Sequence, residues 1–125
     1  MPHAAAVLYV EDDRINIVLM EEVFRLLPGW QLDCAEDGMQ ALAMLGSLQP
    51  TLVVIDMNLP DMSGCELLQQ LRADPRRAGL LCVALSADDQ REQIDAAMAA
   101  GFNDYWVKPI DVPRMALALR KALRP

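Results

Sequence analysis

Apolar runs of strand length recur five times along the chain, at Ala6–Val10, Gln31–Ala35, Leu52–Ile55, Leu81–Leu85 and Tyr105–Val107. Stretches with helical spacing separate them. Ile15, Val18, Leu19, Val23 and Leu26 follow i, i+3, i+4 spacing with Glu22 as a polar intruder, and Pro28-Gly29 ends the run. Ala41, Leu42, Leu45 and Leu48 repeat the pattern and are closed by Pro50. Leu67, Leu68 and Leu71 form a third stripe, broken at Pro75, and Ile94, Ala97 and Met98 a fourth, ended by Gly101. Val112, Met115, Ala116, Leu119 and Leu123 make the fifth, with Asp111 as its N-cap and Pro113 near the first helical position. The first, third and fourth strands are almost wholly apolar, as strands covered on both faces are. Five βα units with right-handed crossovers predict one α/β domain over residues 1–125, a doubly wound five-stranded parallel sheet with five helices.

Composition narrows the function. Hydrophobic residues at 54% and charged residues at 23% are a globular balance, with no linker, repeat or low-complexity segment. The net charge of −7 argues against binding nucleic acid or an anionic membrane and favours a cation. Cys34, Cys65 and Cys82 cannot all pair, none stands in a C-x-x-C, and one His is too few for zinc; buried thiols in a reducing compartment are expected. The run Ala4–Val10 is too short for a signal peptide or membrane span and runs straight into acids. A soluble, cytoplasmic protein is the expectation.

In an open parallel sheet the ligand sits beyond the carboxyl ends of the strands. After the first strand come Glu11, Asp12 and Asp13; after the third, Asp56 and then Asn58; after the fourth, Ser86 and Asp88; after the fifth, Lys108-Pro109. Any one acid there is an ordinary helix cap, and a lone lysine an ordinary surface residue. Together they are a constellation. Carboxylates crowded at one edge repel unless a proton or a hard cation relieves them, and Glu11, Asp12 and Asp56 offer only oxygen, which suits Mg²⁺ or Mn²⁺. Lys108 and Ser86 add donors for phosphoryl oxygens, which makes an acid among them a candidate phosphoryl acceptor.

These motifs resemble the receiver domain of response regulators in two-component and phosphorelay signalling. They are Leu8-Tyr9-Val10-Glu11-Asp12-Asp13, Val54 through Gly64, Ala84-Leu85-Ser86-Ala87 and Asp104-Tyr105-Trp106-Val107-Lys108-Pro109, and the likeness runs from about Val7 to Leu123. It implies the flavodoxin-like fold and the following roles. Asp56 is the phosphoacceptor; Asp12, Asp56 and the backbone carbonyl of Asn58 bind Mg²⁺ (or Mn²⁺) directly, with Glu11 contributing to the same metal pocket through water; Ser86 and Lys108 take phosphoryl oxygens. The Lys108-Pro109 bond is cis, and Tyr105 is the switch aromatic that follows Ser86. Asn58 and Asp88 tune dephosphorylation towards a short-lived phosphoaspartate, with helix capping the competing role for Asp88. Asp13 caps the first helix, and Trp106 either packs under the fifth helix or stands exposed. Ser63, Val107 and Ser86 depart mildly from common family residues.

The resemblance implies as partners a histidine kinase or histidine phosphotransfer protein, docking on a first helix that exposes Arg14, Asn16, Glu21 and Arg25 around an apolar stripe. A downstream effector or second copy would meet the face formed by the fourth helix, fifth strand and fifth helix. The stretch Ala100–Tyr105 is similar to receivers attached to hybrid histidine kinases, which implies a relay. The chain is expected to be no enzyme beyond its own phosphotransfer and auto-dephosphorylation, and to be either a stand-alone receiver or one cut from a longer protein. Two alternatives from other classes are a degenerate receiver that binds partners without phosphorylation, and a small aspartyl-phosphate phosphohydrolase. The latter wants an acid where Asn58 stands. A flavin carrier on this fold wants a phosphate loop where Glu11-Asp12-Asp13 stand.

Overall fold

The computed structural model describes residues 5–123, so Ala4 and the outermost ends of the expected 1–125 domain lie outside the described residues. Strands and helices alternate: β1 (Ala6–Val10), α1 (Arg14–Arg25), β2 (Gln31–Ala35), α2 (Gly38–Met44), β3 (Leu52–Asp56), α3 (Gly64–Arg72), β4 (Leu81–Ser86), α4 (Arg91–Ala100), β5 (Asp104–Val107) and α5 (Val112–Ala122). All pairings are parallel, in the order β2-β1-β3-β4-β5. The chain leaves β1 on one side to make β2 and then crosses back to β3. This switch of direction opens a crevice at the carboxyl ends of β1 and β3, where Glu11 and Asp56 emerge.

Two cores sandwich the sheet. On one face Leu8, Val10, Val53, Ile55 and Ala84 pack against Ala41 and Leu45 near α2, Leu67, Leu68 and Leu71 of α3, and Ala97 of α4. On the other, Val7, Tyr9, Val54, Val83 and Leu85 meet Met20 and Val23 of α1 and Met115, Ala116 and Leu119 of α5. The central strands β1 and β3 are buried on both faces, which is why they carry no polar alternation.

Caps set where helices start. Asp13 accepts the Ile15 N–H at 2.9 Å, Asp37 the Gln40 N–H, and Asp111 the Arg114 N–H, each replacing a bond that a first turn lacks. Ser63 and Glu66 form a reciprocal capping box on α3.

Several expectations need correction. The α1 stripe is partly misphased: Val23 is buried and Leu19 packs against the core as expected, but Ile15 and Val18 are 71% and 43% exposed and Leu26 is exposed too, while Ile17, Met20 and Leu27 are buried instead. This helix is apolar on two faces of the same period, so the pattern fits both, and the docking of α1 against the sheet and α5 selects one. Met98 likewise points outward while Ala97 faces the core. Helix α2 stops at Met44, leaving Leu45 in the turn that follows and Leu48 beyond it, and a short 3-10 turn at Pro75–Arg77 lies between α3 and β4. Of the three thiols only Cys82 is buried; Cys34 and Cys65 are half-buried on an edge strand and a helix flank. Burial pushes the Cys34 and Cys82 thiols up to about 11, so neither is a thiolate at neutral pH. Trp106 is half-buried, packed beside the α5 core with its indole N–H donating to Asp104 Oδ2.

Candidate functional site

Glu11 and Asp56 both end at the crevice and are both buried, at 0% and 4% exposure. Lys108 reaches across from the residue after β5: its Nζ lies 3.0 Å from Glu11 Oε1 and 3.4 Å from Asp56 Oδ2. The Lys108-Pro109 peptide is cis, as expected, and the Lys108 N–H bonds to Ser86 O at 2.7 Å. Asp12 stands beside this pair at the solvent edge, and one carboxylate oxygen from each of Glu11, Asp12 and Asp56 falls within 4.8 Å of the others.

The charges do not balance. One ammonium faces two buried carboxylates and an exposed third. Burial, then the hydrogen bond and charge of Glu11, push Asp56 up to about 6, against the pull of the Asn58 N–H and Lys108. Burial also works on Glu11, but its neighbour Asp56, which takes the proton of the pair, together with hydrogen bonds from Tyr9 and Lys108, outweighs it and holds this carboxyl below its ordinary value. Lys108 is raised: its desolvation is overcome by Glu11 and Asp56. An all-oxygen cluster with surplus negative charge, half open to solvent, fits a small hard dication and not a soft one.

The β3–α3 loop is built to hold Asp56. The Asn58 N–H donates to Asp56 Oδ1 at 3.0 Å, while Asn58 pairs with Ser63 in an isolated antiparallel bridge. Gly64 starts α3 so close to β3 that an added Cβ would stand 3.0 Å from the Asp56 carbonyl oxygen and the Met57 Cα. Only glycine fits this approach without backbone movement. Asp61, for which no local sequence signal marks a role, fastens the loop to α2 by accepting the Gly38 and Met39 N–H groups, each at 2.9 Å.

On the other side, Ser86 is buried at the end of β4 and its Oγ accepts the Asp88 N–H at 3.1 Å. The Tyr105 hydroxyl donates to the Asp88 carbonyl at 2.6 Å, so the aromatic is tied to the turn that follows Ser86. The Asp88 carboxylate accepts the Gln90 N–H, forming a turn just before α4, whose N-cap Gln90 has no side-chain cap of its own. Asp88 thus has a local backbone role and is exposed.

Tyr9, part of the strand motif Leu8-Tyr9-Val10-Glu11, also reaches the site. Wholly buried in the α1/α5-side core, it donates its hydroxyl to Glu11 Oε1 at 2.7 Å. The signal was present: residues two apart on a strand share a face, so a tyrosine two before a buried acid can reach it. Burial, then the bond to Glu11, raise the phenol well above its ordinary value, so it remains a donor.

No helix among the described residues is long and apolar enough to cross a membrane. The response regulator receiver domain model matches residues 7–120. The probable transcriptional regulatory protein TcrX of Mycobacterium tuberculosis is 36% identical over 118 residues, covering 94% of this chain and 49% of TcrX, so the chain spans about half that relative's length. The chemotaxis protein CheY-3 of Vibrio cholerae is 35% identical over 92% of this chain and 88% of its own. Among solved structures, the receiver domain of a sensor histidine kinase from Pseudomonas aeruginosa, with magnesium coordinated in its active-site cleft, superposes with a TM-score of 0.83 at 25% identity, covering 95% of this chain and 97% of that one. With the parallel sheet, the acidic crevice at its switch point and a match across nearly the whole sequence, the chain belongs to the response regulator receiver domain family of two-component signalling.

Proposed function

We propose that this domain takes a phosphoryl group from a phosphohistidine donor onto Asp56, with Mg²⁺ or Mn²⁺ held by Glu11, Asp12, Asp56 and the Asn58 carbonyl, and switches conformation in response. The observation that carries the reading is Lys108 Nζ lying between two buried, mutually repelling carboxylates beside Asp12. The dication supplies positive charge against the phosphoryl oxygens. Asp56 attacks phosphorus as the P–N bond breaks, and the imidazole keeps the electron pair and takes up a proton. Lys108 then turns its ammonium to one phosphoryl oxygen and the Ser86 hydroxyl donates to another. Because Ser86 Oγ holds the Asp88 N–H and Tyr105 holds the Asp88 carbonyl, a moving Ser86 pulls on the turn to which the aromatic is tied. The pull biases α4, β5 and α5, the proposed effector or dimer face.

The proposed donors are a histidine kinase or a histidine phosphotransfer protein, and a cytoplasmic setting follows from that partnership. The apolar residues Ile15 and Val18, outward on α1 next to Arg14 and the crevice, support donor docking there. Self-phosphorylation and self-hydrolysis are the only reactions proposed. A phosphohydrolase lacks its second acid, since Asn58 cannot take up and return a proton. A degenerate receiver has no need of an assembled Lys108–Asp56–Asp12 crevice.

The direct test is intact mass after incubation with acetyl phosphate. One phosphoryl group is expected with Mg²⁺ and none with excess chelator; absence of label at saturating Mg²⁺ refutes the reading.

The adduct is expected to be short-lived. Water must approach in line past residues 58 and 88, and Asn58 is exposed, short and uncharged. Asn58→Lys should lengthen the half-life about tenfold, equivalent to roughly 1.4 kcal/mol of barrier. Asp88→Ala should lengthen it less, because that carboxylate is already engaged by the Gln90 N–H. Decay followed after donor removal checks both; wild-type rates in each would show that water access is governed elsewhere.

A further inference from the structure

We propose that Tyr9 is a positioning residue of the phosphotransfer site, a fixed donor that holds the Glu11 carboxylate in place so that Lys108 is free to leave it. The inference rests on the function proposed above and concerns a residue that takes no part in that scheme. Glu11 is pinned at both oxygens. Oε1 receives the Tyr9 hydroxyl at 2.7 Å and the Lys108 ammonium at 3.0 Å; Oε2 receives the Asp13 N–H at 3.3 Å. Of these donors, Lys108 alone is shared with Asp56, and it alone must move when a phosphoryl group arrives. Once it moves, a fully buried carboxylate would lose its shortest charged contact and turn towards solvent or back to the lysine. The phenol prevents this.

The strand geometry makes Tyr9 suited to the role. It lies on β1 two residues before Glu11, which continues the strand's line through its N–H bond to Ala35 O, and its ring is locked among the side chains of the α1/α5 core. Packing alone would be met by any large apolar residue. A buried hydroxyl is tolerated there because it has a partner, and that partner belongs to the metal site. Outer groups that orient a metal-site carboxylate commonly change affinity by 10–100-fold when removed.

The test is Mn²⁺ binding, read by the loss of the free-ion EPR signal, in wild type, Tyr9→Phe, Glu11→Gln and the double variant. Phenylalanine keeps the ring and removes only the oxygen. Tyr9→Phe is expected to weaken Mn²⁺ binding about tenfold, and to slow acetyl-phosphate labelling at saturating metal, because Lys108 then stays with Glu11. In the Glu11→Gln background the same change should have little further effect, since the two side chains act as one unit. Thermal unfolding of the metal-free proteins verifies that each variant folds. If Tyr9→Phe binds Mn²⁺ like wild type, or if the losses from the two changes simply add, Tyr9 is a packing residue and the inference is wrong. Failure of the wild type itself to bind Mn²⁺ would instead overturn the proposed function.

Discussion

Asp56→Asn is expected to abolish the phosphoryl adduct and, at the same time, to make the metal-free protein more stable by about 1–3 kcal/mol at pH 7. The two effects have one cause. Asp56 is buried against a second carboxylate, so its proton is held up to about 6 rather than near 3.8. An acid whose folded value lies above its unfolded value binds more protons in the native state than in the unfolded one between those limits. Stability therefore falls as pH rises from about 4 to about 6, and the full penalty stands above that window. Asparagine removes the charge, keeps an acceptor for the Asn58 N–H and offers donors to Glu11. Thermal unfolding without metal should show the variant about 3–10 °C above wild type near neutrality, with the gap closing towards pH 4. Saturating Mg²⁺ should narrow the gap from the other side by stabilising wild type more. A variant no more stable than wild type at pH 7 would mean that Asp56 is relieved some other way.

Lys108→Met is expected to act in the opposite direction. The ammonium is mostly buried and is the sole cation in contact with Glu11 and Asp56 among the described residues. Removing one partner of a buried ion cluster leaves charge without compensation, at a cost of about 3 kcal/mol after the residual bonds from Tyr9 and the Asp13 N–H are allowed for. Glu11 is the group whose folded value is depressed, so its stabilising contribution is present above its unfolded value and lost as pH falls. The deficit of Lys108→Met relative to wild type should consequently be greatest near neutrality and shrink in acid, as the carboxylates take protons. Mg²⁺ should raise the melting temperature of the variant more than that of wild type, since the cation then replaces a missing charge. Labelling by acetyl phosphate at saturating Mg²⁺ should fall about 100-fold, the usual consequence of removing a group that meets charge developing in transfer. Equal stability of the two proteins across pH would sink the electrostatic account, whatever the labelling showed.

The sequence determined more of this protein at the strand ends than along its helices. A nearly continuous apolar run such as Leu52–Ile55 can be satisfied only between two covering layers, and alternation with helical stretches leaves one economical architecture. The acids and the lysine that follow those strands converge where the strands are parallel and adjacent, so the grouping of Glu11, Asp12, Asp56 and Lys108 is legible in the sequence. Asp13 and Asp111 were legible as caps because a cap is a local contest between a side chain and its own backbone. Tertiary structure alone decided which of two apolar faces α1 buries, since Ile15 and Val18 satisfy the helical period as well as Ile17 and Met20 do. It alone set Tyr105 on the Asp88 carbonyl and Asp61 on the start of α2. Those are contacts between groups whose separation in space depends on how layers dock, and pattern along a chain carries periodicity but not the phase at which one layer meets the next.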